Sequence, residues 1–312
     1  MSVEKHFYQI ADFGIELSFA NTEVNSTKLI PSFEPFEIKL EENNAEPKEE
    51  SWQPLFTLNV DDTLAPYPKD RRERIRVFDT GNGDTVVDLL DNGGYQYIIR
   101  DLKNADCCLL QTNKLFSECR CALNGNFNMR SFGLNNALML AFAFAASRHQ
   151  TIMIHASLVR QGGYGYPFIA KSGTGKSTHT SLWMKHLPGC DLMNDDNPIV
   201  RICNDTPYIY GSPWSGKTPC YRNVKAPLGA ITRIDRAQAN SIERLKPLEA
   251  FASVLPAASA MKWDEDIFNH ICNVVTKLIE TTPIYTLHCL PNKEAAELCN
   301  QTIARNRQTV KA

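Results

Sequence analysis

The sequence predicts an α/β fold in which a catalytic domain follows a β-rich N-terminal domain. Three observations lead to this prediction. Short segments of β-type residues bounded by turn signals fill residues 1–130. A strand, a glycine-rich loop and a helix follow one another over 166–186. A further short strand over 192–196 ends in two aspartates, and we therefore place the catalytic domain at 131–312.

The composition argues against several classes of protein. The 312 residues carry 33 Lys and Arg against 35 Asp and Glu, a net charge of −2, so bulk charge does not favour nucleic-acid binding. The first residues lack the apolar core of a secretory signal. The longest apolar run, Ala137–Ala146, has ten residues, whereas a bilayer span needs about 20.

None of the ten cysteines forms a CxxC pair. Reduced thiols are predicted, in a cytoplasmic protein without membrane or nucleic-acid partners.

The N-terminal region contains strand signals at Tyr97–Ile99 and Cys108–Leu110, with a turn signal at Asp91–Gly94. The acidic segment Glu41–Ser51 lacks apolar residues, which predicts an exposed loop. Asn135–Arg148 has a helical pattern that is apolar on nearly every side. We therefore expect this helix to pack between layers of the structure.

A phosphate-binding loop is the strongest motif in the chain. Thr151–Val159 and Tyr166–Ala170 predict a β-hairpin, and the loop after it matches the Walker A pattern GxxxxGK[ST] except for alanine at its first position. Phosphates need several converging backbone N–H donors, which glycines permit, and the next helix points its positive end at them. The alternative is a glycine-rich turn that carries a lysine. The residues predicted to hold a nucleotide are Ser172, Gly173, Thr174, Gly175, Lys176, Ser177 and Thr178.

Two aspartates follow this loop at a spacing that suits a nucleotide site. Leu192–Asp196 predicts a short strand, and Asp196 lies 20 positions after Lys176, enough for one helix and one strand. In an α/β sheet both loops then open at the edge where ligands bind. Neighbouring strand residues face opposite sides, so one aspartate is predicted to hold Mg²⁺ and the other to accept a proton. The alternative is a solvated turn, since Asn-Asp-Asp-Asn-Pro is typical of turns.

These segments resemble the catalytic domain of HPr kinase/phosphorylase. The resemblance is carried by Ile154–Val159, Phe168–Ala170, Ser172–Ser177 and Asn194–Asp196, and covers roughly 150–235, about a quarter of the chain. The family shares its nucleotide-binding fold with ATP-type phosphoenolpyruvate carboxykinase, whose loop also reads SGTGK. The resemblance implies ATP and Mg²⁺ as cofactors and transfer of the γ-phosphoryl group to a serine of a protein such as HPr, of a peptide, or free serine. It also implies a homo-oligomer, because HPr kinases assemble as hexamers.

The resemblance also implies roles for individual residues. Asp196 activates the acceptor hydroxyl, Asp195 supports the metal and His155 belongs to the active site, while Lys176 and Ser177 hold phosphates and Mg²⁺. Taken by itself, a histidine on an apolar strand such as His155 is more typical of a protein core.

The sequence departs from the family in one segment. Tyr208 stands where the family has a metal-binding glutamate, and segments for phosphorolysis are not found. Two alternatives therefore stay open beside the kinase: a non-catalytic nucleotide-binding or sensing protein, and a carboxykinase-like lyase. In the loop Ser212–Asn223, Lys217 and Arg222 are candidates for neutralising charge on the phosphoryl group, or are surface cations of a structural turn.

The C-terminal third predicts supporting elements. Ala226–Arg233 and Ile284–Leu290 have strand patterns, Leu248–Ala260 and Ile267–Ile279 have helical patterns, and a last helix follows Pro291.

Overall fold

The computed structural model describes residues 4–20, 26–39, 53–79, 83–216 and 218–305. The chain forms two units, Met1–Ala146 and Ser147–Ala312. The boundary predicted between residues 130 and 131 falls inside the first helix. The loop predicted at Glu41–Ser51 lies outside the described residues.

One eight-stranded sheet forms most of the N-terminal unit. Its order is β1-β2-β3-β8-β7-β6-β5-β4, in which β3 runs parallel to both neighbours and the other pairs are antiparallel. The strands are β1 (Glu4–Ile10), β2 (Phe13–Phe19), β3 (Phe56–Val60), β4 (Arg72–Asp79), β5 (Asp84–Leu90), β6 (Tyr95–Arg100), β7 (Asp106–Thr112) and β8 (Glu118–Leu123). Short 3₁₀ helices cover Thr27–Leu29, Pro31–Phe36 and Lys69–Arg71.

The predicted apolar helix is confirmed as α1 (Phe127–Ser147), which begins eight residues earlier than its apolar pattern. The earlier start has a local cause, because the Asn126 side chain accepts a hydrogen bond from the Met129 N–H and caps the helix. Phe142 of α1 packs edge-on against Phe13 of the sheet.

Among its described residues, the C-terminal unit contains ten strands and four helices. The strands form a six-stranded sheet of order β12-β10-β11-β16-β18-β17 and a four-stranded sheet of order β15-β14-β13-β9. The strands are β9 (Thr151–Met153), β10 (Ala156–Gln161), β11 (Tyr164–Ile169), β12 (Asp191–Asp196), β13 (Ile199–Cys203), β14 (Thr206–Tyr210), β15 (Lys225–Pro227), β16 (Ile231–Arg236), β17 (Ser241–Arg244) and β18 (Ile284–Cys289). The helices are α2 (Lys176–His186), α3 (Pro247–Val254), α4 (Glu265–Thr281) and α5 (Lys293–Ile303), with a 3₁₀ turn at Leu255–Ala257.

The predicted fold class is wrong. We expected an α/β catalytic domain with the architecture of HPr kinase and phosphoenolpyruvate carboxykinase, whereas the chain is β-rich and builds three mixed or antiparallel sheets. In the six-stranded sheet only β11–β16 and β16–β18 are parallel. The four-stranded sheet is antiparallel throughout.

Tight hairpins explain this departure. Gly162 and Gly163 have φ of 57° and 84° and connect β10 to β11, while Asn204 and Asp205 have φ of 48° and 59° and connect β13 to β14. Two central residues with positive φ are typical of the turns that join antiparallel strands. The predicted β10–β11 hairpin is confirmed, but it produces an antiparallel pair where an α/β fold has a parallel one.

Two of the predicted strands divide between the sheets. The segment predicted over 151–159 forms β9 and β10, and the segment predicted over 226–233 contributes to β15 and β16. The predicted helices in the C-terminal third are confirmed as α3, α4 and α5 with shifted ends. None of the described helices is long and apolar enough to cross a membrane.

The six-stranded sheet brings two loops to one edge. Both β11 and β12 pair antiparallel with β10, which lies between them, so β11 and β12 point the same way and end at the same edge. Beneath this edge, α2 and α5 cover one face of the sheet with a core that includes Phe168, Trp183 and Ala296.

Candidate functional site

The glycine-rich loop connects β11 to α2 at the edge of the six-stranded sheet. Gly173 and Gly175 have φ of 76° and 124°, backbone conformations that side chains strain. No atom lies within 4 Å of a Cβ placed on either residue, so the backbone angle rather than space requires glycine. Ala170 has no positive φ, which explains why alanine is compatible with the first position of the motif.

Arg236, at the end of β16, holds the loop from the side. Its guanidinium donates hydrogen bonds to the carbonyl oxygens of Gly173 and Thr174, the latter at 3.0 Å. These two hydrogen bonds connect the loop to the end of β16. The sequence analysis did not identify Arg236. The feature that could have identified it is its position at the end of a strand that reaches the ligand-binding edge.

Lys176 begins α2 and is buried, with 9% of its surface exposed. Its Nζ lies 2.8 Å from His155 Nε2 and 3.4 Å from the Ala170 carbonyl oxygen. Burial lowers the pKa of Lys176, while the charges of Asp196 and Asp195 act in the opposite direction. The amine is therefore held inside the site by neighbours that a phosphate oxygen would replace.

His155 connects Lys176 to Asp196. An ammonium group only donates hydrogen bonds, so His155 Nε2 accepts from Lys176 and its proton resides on Nδ1. Nδ1 lies 3.0 Å from Asp196 Oδ1 and donates to it. The three side chains form a continuous hydrogen-bonded row across the edge of the sheet.

Asp195 lies on the other side of β12 and is buried, with 4% of its surface exposed. Its carboxylate accepts hydrogen bonds from Ser177 Oγ at 3.0 and 3.2 Å and a short one from Ser157 Oγ. These hydroxyl groups are its hydrogen-bond partners among the described residues. Ser157 was missed by the sequence analysis, although it stands two positions after His155 on the strand beside the loop.

Asp196 ends β12 in a strained conformation, with φ of 141°. Such backbone conformations persist where the surroundings impose them, often at functional sites. The surroundings here are Gly216, whose N–H donates to the Asp195 carbonyl oxygen at 2.5 Å, and Asn197, whose side chain donates to Asp196 Oδ2 at 2.8 Å. Asp196 keeps 34% of its side chain exposed, so its carboxylate remains accessible from solvent.

Asn194 holds the loop between β14 and β15 against β12. Its side-chain amide is fully buried and donates to Ser212 Oγ and the Trp214 carbonyl oxygen, each at 3.1 Å. The predicted loop Ser212–Asn223 therefore packs against the end of β12. Lys217 of this loop lies outside the described residues.

Arg222 lies away from the predicted site. It donates to Asp191 Oδ2 at 2.7 Å, and Arg160 binds the same carboxylate through two nitrogens. Asp191 starts β12 and Asp196 ends it, a separation of about 17 Å in an extended strand. Arg222 therefore belongs to a structural ion-pair cluster at the opposite end of the strand.

Tyr208 lies on β14, opposite Arg201 and Pro227 in the four-stranded sheet. The ammonium of Lys225 lies 6.0 Å from the centre of its ring. Tyr208, which replaces the glutamate of HPr kinases, thus lies in the four-stranded sheet, whereas the glycine-rich loop follows a strand of the six-stranded sheet.

An apolar cavity of about 520 Å³ lies beside the loop. Thr174, Thr178 and Arg236 line it where it meets the loop and the first turn of α2, and its remaining wall is largely apolar. The apolar wall is formed by Leu182, Ile234, Ala237, Leu290 and Pro291.

The donors beside Ser177 fit a magnesium ion. The described residues contain no group of three or more His, Cys, Asp or Glu side chains placed to hold a metal. Magnesium usually takes one or two carboxylates and completes its shell with water and substrate phosphates. Asp195 supplies a buried carboxylate whose partners are neutral hydroxyl groups, and Ser177 supplies a hydroxyl next to it.

The comparisons with known proteins do not identify a relative. No family model matches the chain, and no curated protein matches it at significant similarity.

Proposed function

We propose that this chain is an ATP-dependent kinase that transfers the γ-phosphoryl group to a serine-type hydroxyl, as its resemblance to HPr kinase/phosphorylase implies. The observation that carries the proposal is the convergence of the predicted residues at one sheet edge. Lys176 contacts His155, His155 contacts Asp196, and Ser177 contacts Asp195, each within 3.2 Å.

In this proposal the loop and Lys176 bind the nucleotide phosphates. The loop backbone supplies N–H donors at the N-terminus of α2, and the Lys176 ammonium moves from His155 to a phosphate oxygen. Ser177 and Asp195 would hold Mg²⁺, which neutralises charge on the phosphates when bound.

Asp196 is the proposed proton acceptor. One oxygen of its carboxylate accepts from His155 and the other from Asn197, and each oxygen keeps a second lone pair. An acceptor hydroxyl can therefore donate to Asp196 without displacing either partner. His155 acts as a positioning residue, because its Nδ1 proton orients the carboxylate.

The cavity beside the loop supports a nucleotide rather than a simple phosphate. Its apolar wall suits the faces of a nucleobase, and it meets the loop at Thr174 and Thr178, where the phosphates would begin. Arg236 reaches both the cavity and the loop. We also propose a cytoplasmic location, which suits ATP and ten free thiols.

Incubation with γ-labelled ATP and Mg²⁺ tests the proposal. Label should move to HPr, to a serine peptide or to free serine, and Lys176→Ala should weaken nucleotide binding measured by calorimetry. A wild-type protein that binds no nucleotide contradicts the proposal.

A second candidate is a nucleotide sensor without transfer activity. It is favoured by one observation, that Tyr208 stands where HPr kinases have a metal-binding glutamate and lies in the four-stranded sheet. Tight ATP binding with no label transfer to any of the three acceptors, with Mg²⁺ or Mn²⁺, would favour the sensor over the kinase.

A further inference from the structure

Ser157 on β10 lies directly opposite Asp195 on β12. Residues paired across antiparallel strands project their side chains to the same side of the sheet, with Cβ atoms about 5 Å apart. A serine and an aspartate together span that gap, and the Ser157 hydroxyl donates a short hydrogen bond to Asp195 Oδ1. The contact depends on strand register, because a shift by one residue would place Ala156 or Leu158 opposite the carboxylate.

Ser177 reaches the same carboxylate from the first turn of α2. Its Oγ lies 3.0 Å from Asp195 Oδ1, 3.2 Å from Asp195 Oδ2 and 3.4 Å from Ser157 Oγ. Ser157 and Asp195 are buried, whereas Ser177 is exposed. The oxygen atoms of the three side chains therefore form one compact group that is accessible from the side of the glycine-rich loop.

The two oxygens of the Asp195 carboxylate have different surroundings. Oδ1 accepts from Ser157, whereas the contact of Oδ2 among the described residues is Ser177 Oγ. Neighbouring oxygens in an octahedral magnesium shell lie about 3 Å apart, because each lies about 2.1 Å from the metal. Oδ2 and Ser177 Oγ have nearly this spacing. Oδ2 can therefore bind a magnesium ion beside Ser177 while Oδ1 stays bonded to Ser157.

The Ser157 hydroxyl orients the carboxylate without neutralising it. The direct partners of Asp195 among the described residues are neutral, and the Lys176 ammonium acts on it through charge rather than a hydrogen bond. Metal-binding carboxylates are commonly held by a hydrogen bond from a residue that does not itself touch the metal. Ser157 has the position and the chemistry of such a residue.

We propose that Ser157 is a positioning residue for the metal: its hydroxyl holds Asp195 Oδ1, so that Oδ2 and the Ser177 hydroxyl are placed to bind Mg²⁺ together. The inference rests on the proposed kinase function, in which Mg²⁺ accompanies the nucleotide. Removal of the Ser157 hydroxyl takes away the donor that fixes the orientation of the carboxylate. The metal ligands remain in the chain, but their arrangement is no longer held.

Calorimetry with a non-hydrolysable ATP analogue, in Mg²⁺ and in EDTA, tests this role without measuring activity. The ratio of the two affinities is the magnesium-dependent gain. Ser157→Ala should reduce this gain roughly tenfold or more, and the affinity measured in EDTA should not change. Ser157→Thr keeps a hydroxyl and should retain most of the gain. Ser157→Cys, a weaker donor of similar size, should fall between them and provides the comparison if Ser157→Ala does not fold.

The matched control is Ser181→Ala. Ser181 also bonds to Ser177, but its hydroxyl donates to the backbone carbonyl oxygen at 2.8 Å and does not contact the carboxylate. The control should keep the full magnesium-dependent gain. A Ser157→Ala protein that keeps the gain, or that loses affinity equally in Mg²⁺ and in EDTA, would overturn the positioning role. An equal loss of the gain in Ser181→Ala would overturn it as well.

The outcomes separate this inference from the kinase proposal. If Mg²⁺ strengthens analogue binding equally in the wild type and in Ser157→Ala, the positioning role is wrong and the kinase stands. If Ser157→Ala loses the gain but the wild type transfers no label, the positioning role is supported and the sensor is favoured over the kinase. If the wild type binds no analogue in either condition, both proposals are overturned.

Discussion

Two buried aspartates, one in each unit, have opposite surroundings. Asp88 of β5 is 1% exposed and binds the guanidinium groups of Arg72 and Arg74. Asp195 of β12 is 4% exposed and accepts hydrogen bonds from two serine hydroxyls. A buried carboxylate normally requires compensating positive charge. Asp88 obtains that charge from Arg72 and Arg74, whereas for Asp195 we propose a bound cation.

The two arginines determine the direction in which the pKa of Asp88 shifts. Burial alone would raise its pKa, but the hydrogen bonds and charges of Arg74 and Arg72 outweigh burial and lower it. Asp88 therefore stays ionised at neutral pH as part of the fold. The contrast teaches that burial of an acidic side chain does not by itself indicate function; the identity of its partners does.

The largest expected effect is on catalysis at Asp196. Asp196→Asn should reduce phosphoryl transfer by roughly 10²- to 10⁴-fold, because the amide cannot accept the hydroxyl proton. Nucleotide affinity should not change, since in the proposed function the loop and Lys176, and not Asp196, contact the phosphates. Label transfer and calorimetry measure the two quantities. Asp205→Asn, in the turn between β13 and β14, is the matched control and should retain wild-type transfer. Wild-type turnover in Asp196→Asn would refute its role as the base.

Asp88→Asn tests the structural member of the pair. It leaves two arginines without their shared carboxylate, so we expect unfolding free energy to fall by about 3 kcal/mol. Urea denaturation followed by circular dichroism gives this value. Asp91→Asn is the control, because Asp91 forms an exposed ion pair with Arg71 and should change stability by less than about 1 kcal/mol. Equal effects of the two variants would contradict the role assigned to burial.

A buried base extends the comparison. His179 lies in the core of the C-terminal unit and accepts a hydrogen bond from Trp183 Nε1 at 3.0 Å. Burial lowers its pKa to about 4, below the value of about 6.5 in an unfolded chain. Protonation therefore favours the unfolded chain, and the stabilisation present above pH 6.5 is lost as pH falls towards 4. We expect a loss of about 2 kcal/mol between pH 7.5 and 5.

Urea titrations across this pH range measure the His179 effect. His179→Gln should remove this part of the pH dependence. A variant that keeps the full slope would show that other groups cause it.

The smallest expected effect on stability is at Asp195. Asp195→Asn removes a buried charge whose direct hydrogen-bond partners among the described residues are neutral hydroxyls, so unfolding free energy should change by less than about 1 kcal/mol or increase. The same variant should lose the Mg²⁺-dependent gain in nucleotide affinity. A loss of stability as large as that of Asp88→Asn would remove the distinction between the two aspartates.

The sequence predicted those parts of the candidate site that depend on interactions between residues close together in the chain. The glycine-rich loop between a strand and a helix depends on residues that are adjacent in the chain, and Gly173 and Gly175 adopt the backbone angles that such loops require. The strand ending at Asp196 followed from a short apolar run and its spacing from Lys176. These features need no knowledge of distant contacts.

The contributions of Ser157 and Arg236 could not be predicted in the same way. Each reaches the site because β10, β11, β12 and β16 are neighbours in one sheet, and strand order is a long-range property. The fold class failed for the same reason. A strand–loop–helix unit is compatible with many sheets, and the hairpins that surround it determine whether neighbours are parallel or antiparallel.

The sequence by itself determined a glycine-rich loop between a strand and a helix and the two carboxylates that follow it, because backbone conformation is encoded over a few positions. The tertiary structure decided which carboxylate contacts hydroxyls and which contacts His155, and it placed Arg222 in an ion-pair cluster at the other end of β12. Those outcomes depend on the pairing of strands far apart in the chain. Burial and hydrogen bonding across the whole sheet select that pairing, and no short segment specifies it.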